Sequence, residues 1–211
     1  MSPGRSDAAA QDIDHRKRPR RRGKALDDAI FLATLDELAE TGYANLTMEG
    51  VAERARAGKA SLYRRWPTRV ELVMDAVYHA FPDPSTPVDT GGLRGDLLAA
   101  LREAAELLAG PAGEALRAVL SDVLRDPART AEARRRSQGR GRRAMREIAR
   151  RAAERGEIDL AAVTPRRQEA GLALLRHHFL FNGVPIPDSV IVEIVDDVLL
   201  PLFRTSAPSD F

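Results

Sequence analysis

Residues 47–69 have the sequence TMEGVAERARAGKASLYRRWPTR. Apolar and small side chains recur in it at helical spacing on both sides of a break at residues 56–58, which contains a glycine. We expect one helix over residues 48–55 and a second over residues 59–66. Two short helices joined by a turn of this length are typical of a helix-turn-helix.

The ends of these helices carry their own sequence signals. Thr47 can cap the first helix, since its hydroxyl can accept a hydrogen bond from an amide of the first turn. Pro67 ends the second helix, because the residue before a proline avoids helical geometry. Thr68 then caps a further helix, which we expect to run from Arg69 to Ala80.

Apolar residues on facing sides would hold the two short helices at a fixed angle, and these are Val51, Ala52, Ala55 and Leu62. The solvent side of the second helix carries Lys59, Ala60, Ser61, Tyr63, Arg64 and Arg65. A helix with small residues near its start and cations beyond them can approach a polyanion closely. The sequence therefore predicts a nucleic-acid-binding surface on this helix.

Positive charge is concentrated in this part of the chain. The whole sequence of 211 residues has 33 Lys and Arg against 31 Asp and Glu, which gives a formal net charge of only +2. Residues 54–69 nevertheless hold six cations and no acid, and residues 16–24 hold seven cations and no acid. A concentrated positive field of this kind attracts phosphate, so both segments indicate DNA as a partner.

Side-chain chemistry separates candidate base contacts from candidate phosphate contacts. Ala60 and Ser61 are small enough to let the backbone of the second helix approach base edges. Arg64, and also Lys59, can reach the acceptor atoms of guanine. Hydroxyl groups and further cations suit phosphates, which fix the register without discriminating between bases. We assign such phosphate contacts to Thr47, Tyr63, Arg65, Thr68 and Arg69.

Residues 47–55, TMEGVAERA, and residues 58–69, GKASLYRRWPTR, together resemble the DNA-binding domain of the tetracycline-repressor (TetR) family. The resemblance covers residues 24–80. The LYRRWP form at residues 62–67 is similar to a branch of that family common in bacteria with GC-rich genomes. From residue 83 onward the chain matches the family in architecture alone.

The resemblance implies a homodimer, a double-stranded DNA operator, a small-molecule effector in a second domain, and loss of operator binding when the effector enters. By position, it implies phosphate contacts from Thr47, Tyr63 and Arg69 and base contacts from Lys59, Ala60, Ser61 and Arg64. Since most regulators of this kind are repressors, we expect a ligand-responsive repressor. The alternatives are a constitutive DNA-binding protein without a ligand and, from another class, a helical enzyme.

Arg56 departs from the family pattern, which usually has glycine at this position. A left-handed backbone there would cost a residue other than glycine on the order of 1 kcal/mol. Two explanations are open at this point. Either the turn is reshaped in this chain, or Arg56 is tolerated because it adds a phosphate contact.

The whole chain is expected to be all-helical, since no run alternates with enrichment in β-branched residues and no internal repeat is present. Further helices are expected over residues 24–41, 93–109, 114–124, 128–155, 165–182 and 188–203. Thr164 and Pro165 are the expected N-cap and first-turn proline of the helix over residues 165–182. We divide the chain into a disordered basic arm (1–23), a three-helix helix-turn-helix DNA-binding domain (24–81) and a helical ligand-binding and dimerisation domain (82–211).

The basic arm could enter the minor groove beside the operator, as N-terminal arms of other DNA-binding proteins do. Its candidate contacts are Arg18, Arg20, Arg21, Arg22 and Lys24. The alternative is a charged tail with only a general attraction to nucleic acid. A further cluster of nine arginines at residues 134–151 is either a second binding surface or one solvated face of a long helix.

The last two predicted helices indicate dimerisation. The helix over residues 165–182 is apolar nearly all round, and the helix over residues 188–203 has a broad apolar stripe. Pairing both with their copies in a second subunit would form a four-helix interface. The expected interface residues are Ala170, Gly171, Ala173, Leu174, His177, Ile191, Ile194, Val195 and Val198. The alternative is ordinary burial within one chain.

The second domain has few aromatic residues, so we expect an aliphatic pocket and an apolar effector. Candidate pocket residues are Ser121, Gln168, Leu175, His178, Phe179 and Asn182. The adjacent His177 and His178 point about 100° apart on a helix, so they cannot chelate one ion together. We therefore expect neither a metal ion nor a cofactor.

Composition excludes several other classes of protein. The chain has no cysteine, which excludes disulfide scaffolds, thiolate metal sites and cysteine nucleophiles. No apolar stretch reaches the ~18 residues that a membrane span needs, and the N-terminus lacks the apolar core of a signal peptide. We expect a cytoplasmic protein without a membrane partner. An enzyme would need a metal set, a phosphate loop or a nucleophile with its base, and no motif for these is present.

Overall fold

A computed structural model describes residues 23–81, 83, 85–123 and 127–205. These residues form helices and loops, and none of them lies in a β-strand, which confirms the all-α prediction. The helices are α1 (Lys24–Asn45), α2 (Met48–Arg54), α3 (Lys59–Arg65), α4 (Arg69–Ala80), α5 (Leu93–Ala109), α6 (Pro111–Val123), α7 (Pro127–Glu154), α8 (Pro165–Phe181), α9 (Asp188–Glu193) and α10 (Leu200–Arg204). A π-helical segment, Ile194–Leu199, joins α9 to α10.

Local sequence signals set most of the helix ends. The predicted caps are confirmed at Thr47, Thr68 and Thr164, whose hydroxyls accept amide hydrogen bonds of 3.0, 3.3 and 3.4 Å. Helices α6 and α7 begin earlier than predicted, at Pro111 and Pro127. Proline is accepted in the first turn of a helix because its missing N–H has no helical partner there.

The N-terminal helices pack around one apolar centre. Each of four helices contributes at least one fully buried member to it, and these include Ile30, Val51, Leu62 and Leu72. Gly42 adopts a φ of 72° inside α1, so the last turn of that helix bends toward the start of α2. Leu46, between this bend and the cap of α2, is buried.

Trp66 fastens the end of α3 to the neighbouring helices. Its ring is buried and lies edge-on to Phe31 of α1, with 5.3 Å between the ring centres. Its indole Nε1–H donates a hydrogen bond of 2.9 Å to Asp75 of α4. An aromatic ring with both its apolar body and its polar atom partnered fixes the position of α3 against α1 and α4.

The C-terminal part packs around α5, which contacts α6, α7, α8 and α9. Helix α6 in turn contacts α1 and α4, so buried side chains run continuously from the N-terminal helices into the C-terminal part. A displacement in one part therefore has a packed route into the other.

A buried carboxylate, that of Asp96, lies in the first turn of α5. Asp96 is fully buried and accepts hydrogen bonds from the backbone N–H and hydroxyl of Thr90, at 2.7 and 2.8 Å, and from Arg155 at 3.1 Å. Beside it, burial opposes ionisation of Glu157, but hydrogen bonds from Arg155 and from the Leu93 N–H outweigh this effect and lower its pKa. The cluster joins the start of α5 to the end of α7.

Candidate DNA-binding surface

Helix α3 exposes one face because α2 covers the other. Leu62 is buried against α2, together with Val51 and Ala52. The exposed residues of α3 are Lys59, Ala60, Tyr63 and Arg64, and Ser61 is half-buried. The structure therefore brings the predicted base contacts together at the start and middle of one short helix.

Glu49 of α2 lies beside two of these residues. The Tyr63 hydroxyl donates a hydrogen bond of 3.2 Å to its carboxylate, and the Lys59 Nζ lies 3.9 Å from it. Partial burial of the phenol, and then the charge of Glu49, raise the pKa of Tyr63, which keeps the hydroxyl protonated and able to donate. A phosphate at this point has to compete with Glu49 for the two donors.

The two adjacent arginines of α3 have different surroundings. Arg65 forms an ion pair of 3.0 Å with Asp27 of α1, and it also contacts Ser61. Arg64 is exposed and has no hydrogen-bond or ion-pair partner in the part of the chain that the structure describes. Arg65 therefore fastens α3 to α1, whereas Arg64 is available for a base edge.

Arg69 is held within the protein, which sequence reasoning did not foresee. Its guanidinium lies over the ring of Tyr43, 4.4 Å from the ring centre. The same group donates hydrogen bonds of 3.2, 3.3 and 3.1 Å to the carbonyls of Tyr43, Ala44 and Leu46. These carbonyls lie at the end of α1, where helical partners are missing. Arg69 therefore positions α1 against α4, and a phosphate contact from it stays a prediction.

Arg54 is exposed, but its charge is likewise paired with acids of the same chain. It donates a hydrogen bond of 2.9 Å to Glu37 and contacts Glu40, both on α1. The hydrogen bonds to Glu40 and then to Glu37 raise the pKa of Arg54, and the bond from Arg54 lowers the pKa of Glu40. The positive field of the helix-turn-helix is therefore narrower than the sequence count suggests and is centred on Arg56 and Arg64.

The turn after α2 has the left-handed geometry of a Schellman motif. Arg56 has a φ of 53°, its N–H donates to the Glu53 carbonyl at 3.0 Å, and the Ala57 N–H donates to the Ala52 carbonyl at 2.8 Å. Helix α7 ends in the same pattern with Gly156 at a φ of 76°. The explanation that the turn is reshaped is therefore wrong. A phosphate contact from the exposed Arg56 side chain stays a prediction.

Arg56→Gly is expected to raise the free energy of unfolding by about 1 kcal/mol, because glycine adopts a positive φ without the clash of a Cβ atom. Urea unfolding of the variant and the wild type measures this change. Gly156→Ala, at the equivalent position after α7, introduces a Cβ atom at a positive φ and is the control in the opposite direction. It should lower the free energy of unfolding by a similar amount. If Arg56→Gly is no more stable than the wild type, the turn is not strained.

The remaining predicted DNA contacts lie at the edges of this surface. Thr47 and Thr68 are exposed, and each hydroxyl already caps its helix. Lys24 is exposed at the start of α1. The arm residues Arg18, Arg20, Arg21 and Arg22 lie outside the described residues.

One side of α8 is exposed and largely apolar. Ala173, Leu174 and His177 face solvent, and Phe181, which the sequence prediction omitted, is 77% exposed. The rings of His177 and Phe181 stack with 4.8 Å between their centres. His177 lies four residues after Ala173 and three after Leu174, and Phe181 lies four residues after His177, so the four side chains share one side of the helix, which we term the α8 face.

Several predicted interface residues lie elsewhere. Four of them are buried within the chain, and these are Gly171, Ile191, Ile194 and Val195. A Cβ atom at Gly171 would lie 2.7 Å from the Leu199 side chain, so this glycine permits close packing inside one chain. Ala170 and Val198 are half-buried. The apolar stripe of α9 and α10 is thus used inside one chain, which narrows the predicted interface to the α8 face.

A cavity of about 120 Å³ lies among α4, α5, α7 and α8. Its wall includes Tyr78 at the end of α4, Phe81 directly after it, Met145 of α7, and Leu172 and Leu175 of α8. Leu175 was among the predicted pocket residues. The wall also contains aromatic rings from the N-terminal part of the chain, which the prediction of an aliphatic pocket did not include.

Four further candidates that the structure describes do not line this cavity, and these are Gln168, His178, Phe179 and Asn182. Gln168 donates a hydrogen bond of 3.0 Å to the carbonyl of Val163. The Arg117 guanidinium lies 4.6 Å from the ring centre of Phe179, which is buried. The Ser121 side chain lies outside the described residues. Gln168 lies four residues before Leu172 and Phe179 four residues after Leu175, on the same side of α8, so both miss the cavity because of their position along the helix.

In the described ranges, no group of three or more His, Asp or Glu side chains could hold a metal ion. The helices in those same ranges include none that is both long and apolar enough to cross a membrane.

Family models match both parts of the chain. Residues 30–76 match the model described as "Bacterial regulatory proteins, tetR family". Residues 87–198 match the model described as "Tetracyclin repressor-like, C-terminal domain". The first match contains α2 and α3 in full, and the second contains α5 to α9.

Known proteins are similar over most of the chain. An uncharacterized HTH-type transcriptional regulator of Mycobacterium tuberculosis is 34% identical over 184 residues, which cover 84% of this chain and 87% of that protein. The DNA-binding transcriptional repressor TetR of Mycobacteroides abscessus is 33% identical over 202 residues, covering 88% and 98%. The crystal structure of the TetR family transcription regulator SCO0332 has a TM-score of 0.69 at 26% identity and covers 82% and 96%. This chain therefore belongs to the TetR family of DNA-binding transcriptional regulators.

Proposed function

We propose that this regulator is a repressor that binds a palindromic operator as a homodimer and leaves it when a small, largely apolar effector binds. This proposal rests on the exposed face of α3, whose residues Lys59, Ala60 and Arg64 lie outside the packed core. Two copies of α3, related by the dimer axis, would enter successive major grooves about 34–36 Å apart. The name of the Mycobacteroides abscessus relative supports repression as the direction of control.

The surroundings of each side chain support a division of labour on the operator. Ala60 and Ser61 let α3 approach the bases, and Arg64, which has no partner among the described residues, can donate two hydrogen bonds to guanine. Around this centre, Thr47, Tyr63 and Arg56 are placed to meet phosphates. Phosphate contacts would fix the register, and Arg64 would supply most of the discrimination between bases.

Helix α4 supports a route from the effector to the operator. Its C-terminal end contributes Tyr78 to the cavity, and Phe81 follows directly after it. At the N-terminal end of α4, Arg69 binds carbonyls at the end of α1, and in the middle of α4 Asp75 accepts the hydrogen bond of Trp66, the residue that follows α3. An effector that displaced the C-terminal end of α4 would therefore change the position of α3. Release requires that the effector binds the two positions of α4 unequally.

In this proposal, residues 24–81 form the DNA-binding domain, and residues 82–211 bind the effector and the second subunit through the α8 face. The arm, residues 1–23, adds contacts beside the operator. A constitutive DNA-binding protein is the rival function. The cavity favours the effector-controlled regulator, because it lies against α4, whose Asp75 also binds Trp66 at the end of α3.

Arg64→Ala is expected to relax the choice of base at one position of each half-site, with a loss of about 1–3 kcal/mol of discrimination. Binding titrations at one salt concentration, on duplexes that carry each base pair at that position, measure this loss. Arg143→Ala removes an exposed arginine of α7 and is the matched control for charge. A variant Arg64→Ala with the base preference of the wild type would contradict the assignment.

A further inference from the structure

The cavity among α4, α5, α7 and α8 is apolar on most sides but also carries charged groups. Its apolar lining includes Tyr78, Phe81, Met145, Leu172 and Leu175. Glu103 of α5, Arg176 of α8 and Asp83, just after α4, also line it. The charged side chains decide which ligand such a small apolar space selects.

Glu103 is half-buried and has no hydrogen-bond or ion-pair partner among the residues that the structure describes. Its neighbours on α5 at the cavity wall are Ala100 and Ala104, which offer no donor. A carboxylate against such a wall loses part of its hydration without a compensating hydrogen bond. A cation bound in the cavity would supply that compensation.

The two other charged residues of the lining do not neutralise the negative charge of Glu103. Arg176 is exposed, and its long side chain allows the guanidinium to remain hydrated. Asp83 is also acidic and accepts hydrogen bonds from the N–H and hydroxyl of Ser85, at 2.9 and 2.7 Å. The lining therefore has two carboxylates and one guanidinium. Glu103 and Arg176 have no partner among the described residues, and Glu103 is the more buried of the two.

The size and the rings of the cavity restrict the ligand further. Its volume of about 120 Å³ is on the order of the ~150 Å³ cavity that accommodates benzene, so the hydrocarbon part is one ring or a short alkyl chain. Tyr78 and Phe81 supply aromatic rings, which attract cations more than anions.

We propose that the effector is a small apolar amine, whose ammonium group binds the Glu103 carboxylate while its hydrocarbon part lies against Met145, Leu172 and Leu175. This inference rests on the proposed function, because it names the chemical class of effector for the same cavity. It assigns Glu103 as the residue that selects a cationic effector over an anionic or neutral one.

Three probes with the same six-carbon chain test the proposal: hexylamine, hexanoate and hexan-1-ol. Calorimetric titration of the full chain at pH 7, without DNA, should give at least tenfold tighter binding for hexylamine than for the other two. Glu103→Gln should remove this preference, and it preserves the fold because it is isosteric at an unpaired position. Arg176→Gln, which removes the opposite charge from the same cavity, should keep the preference.

Several results would overturn the proposal. Tightest binding of hexanoate, lost in Arg176→Gln, would assign an anionic effector. Equal binding of hexan-1-ol, or no binding of any probe, would show that the cavity does not select a cation. A preference for hexylamine that survives in Glu103→Gln would remove Glu103 from the site.

Operator binding is measured separately, so that the two proposals can fail independently. Hexylamine that binds through Glu103 and weakens operator binding supports both. Hexylamine that binds through Glu103 but leaves operator binding unchanged supports the amine site and contradicts its role in release. Absence of any sequence preference on DNA contradicts the proposed function while the probe titrations still decide the cavity's charge selectivity.

Discussion

Leu174→Glu is expected to make the protein monomeric and to weaken its binding to operator DNA by roughly 10²–10⁴-fold. Leu174 is 39% exposed and lies at the middle of the α8 face, next to Ala173 and His177. In a dimer built on this face, two copies of the new carboxylate would meet near the axis, where both are desolvated and repel each other. A monomer presents a single α3 to a single half-site, so the gain from linking two half-sites disappears.

Analytical ultracentrifugation and an operator titration of the same sample measure both effects. Leu160→Glu is the matched control, because Leu160 is 41% exposed and lies on the short turn Leu160–Ala162, away from the α8 face. This control should remain dimeric and bind DNA as the wild type does. A Leu174→Glu variant that sediments as a dimer would show that the subunits meet elsewhere.

Asp96→Ala is expected to lower the free energy of unfolding by about 3–5 kcal/mol. The carboxylate is fully buried, and its removal leaves two donors, the Thr90 N–H and the Nη2 group of Arg155, without this acceptor. Breaking a buried charged contact by removing one partner is costly, because the other groups remain desolvated. The start of α5 would then lose its connection to the end of α7.

Urea unfolding at pH 7 measures the loss. Asp196→Ala provides the control, since Asp196 accepts two hydrogen bonds from Arg94, at 2.7 and 2.8 Å, on the surface. Exposed pairs contribute little to stability because water and salt screen them, so this variant should lose far less than Asp96→Ala. Equal losses of unfolding free energy in the two variants would show that the buried cluster stabilises the fold no more than an exposed ion pair does.

Features set by neighbouring residues could be predicted from the sequence. The caps at Thr47, Thr68 and Thr164 are confirmed, because each involves a hydroxyl and an amide three residues later. The break at Arg56 was also expected, since helix and turn signals lie within a few residues. Its left-handed φ of 53° needed the structure, because a sequence with arginine allows either geometry.

Features that join distant segments could not be predicted. Arg69 lies more than twenty positions from the carbonyls it binds, and nothing in its own helix marks those partners. The cavity likewise combines side chains of several helices. Leu175 and Phe179 lie four residues apart on the same side of α8, and which of them lines the cavity depends on where the other helices cross α8 along its length. The sequence of α8 alone does not give that position.

The interface prediction shows the same limit. The apolar residues Ile191, Ile194 and Val195 are buried inside the chain, as an ordinary core stripe would be. Phe181 was overlooked as an interface residue, although it is the most exposed large apolar side chain of α8. Periodicity gives the width of an apolar surface, whereas only packing shows which part of it stays uncovered.

The most direct test of paired operator recognition is selection of bound duplexes from a random DNA library by the full chain. We predict an enriched palindrome with a guanine in each half-site at the position contacted by Arg64. The half-site centres should lie one helical turn, about 34–36 Å, apart. Bound duplexes with no enriched sequence, or with a single unrepeated half-site, would contradict the account.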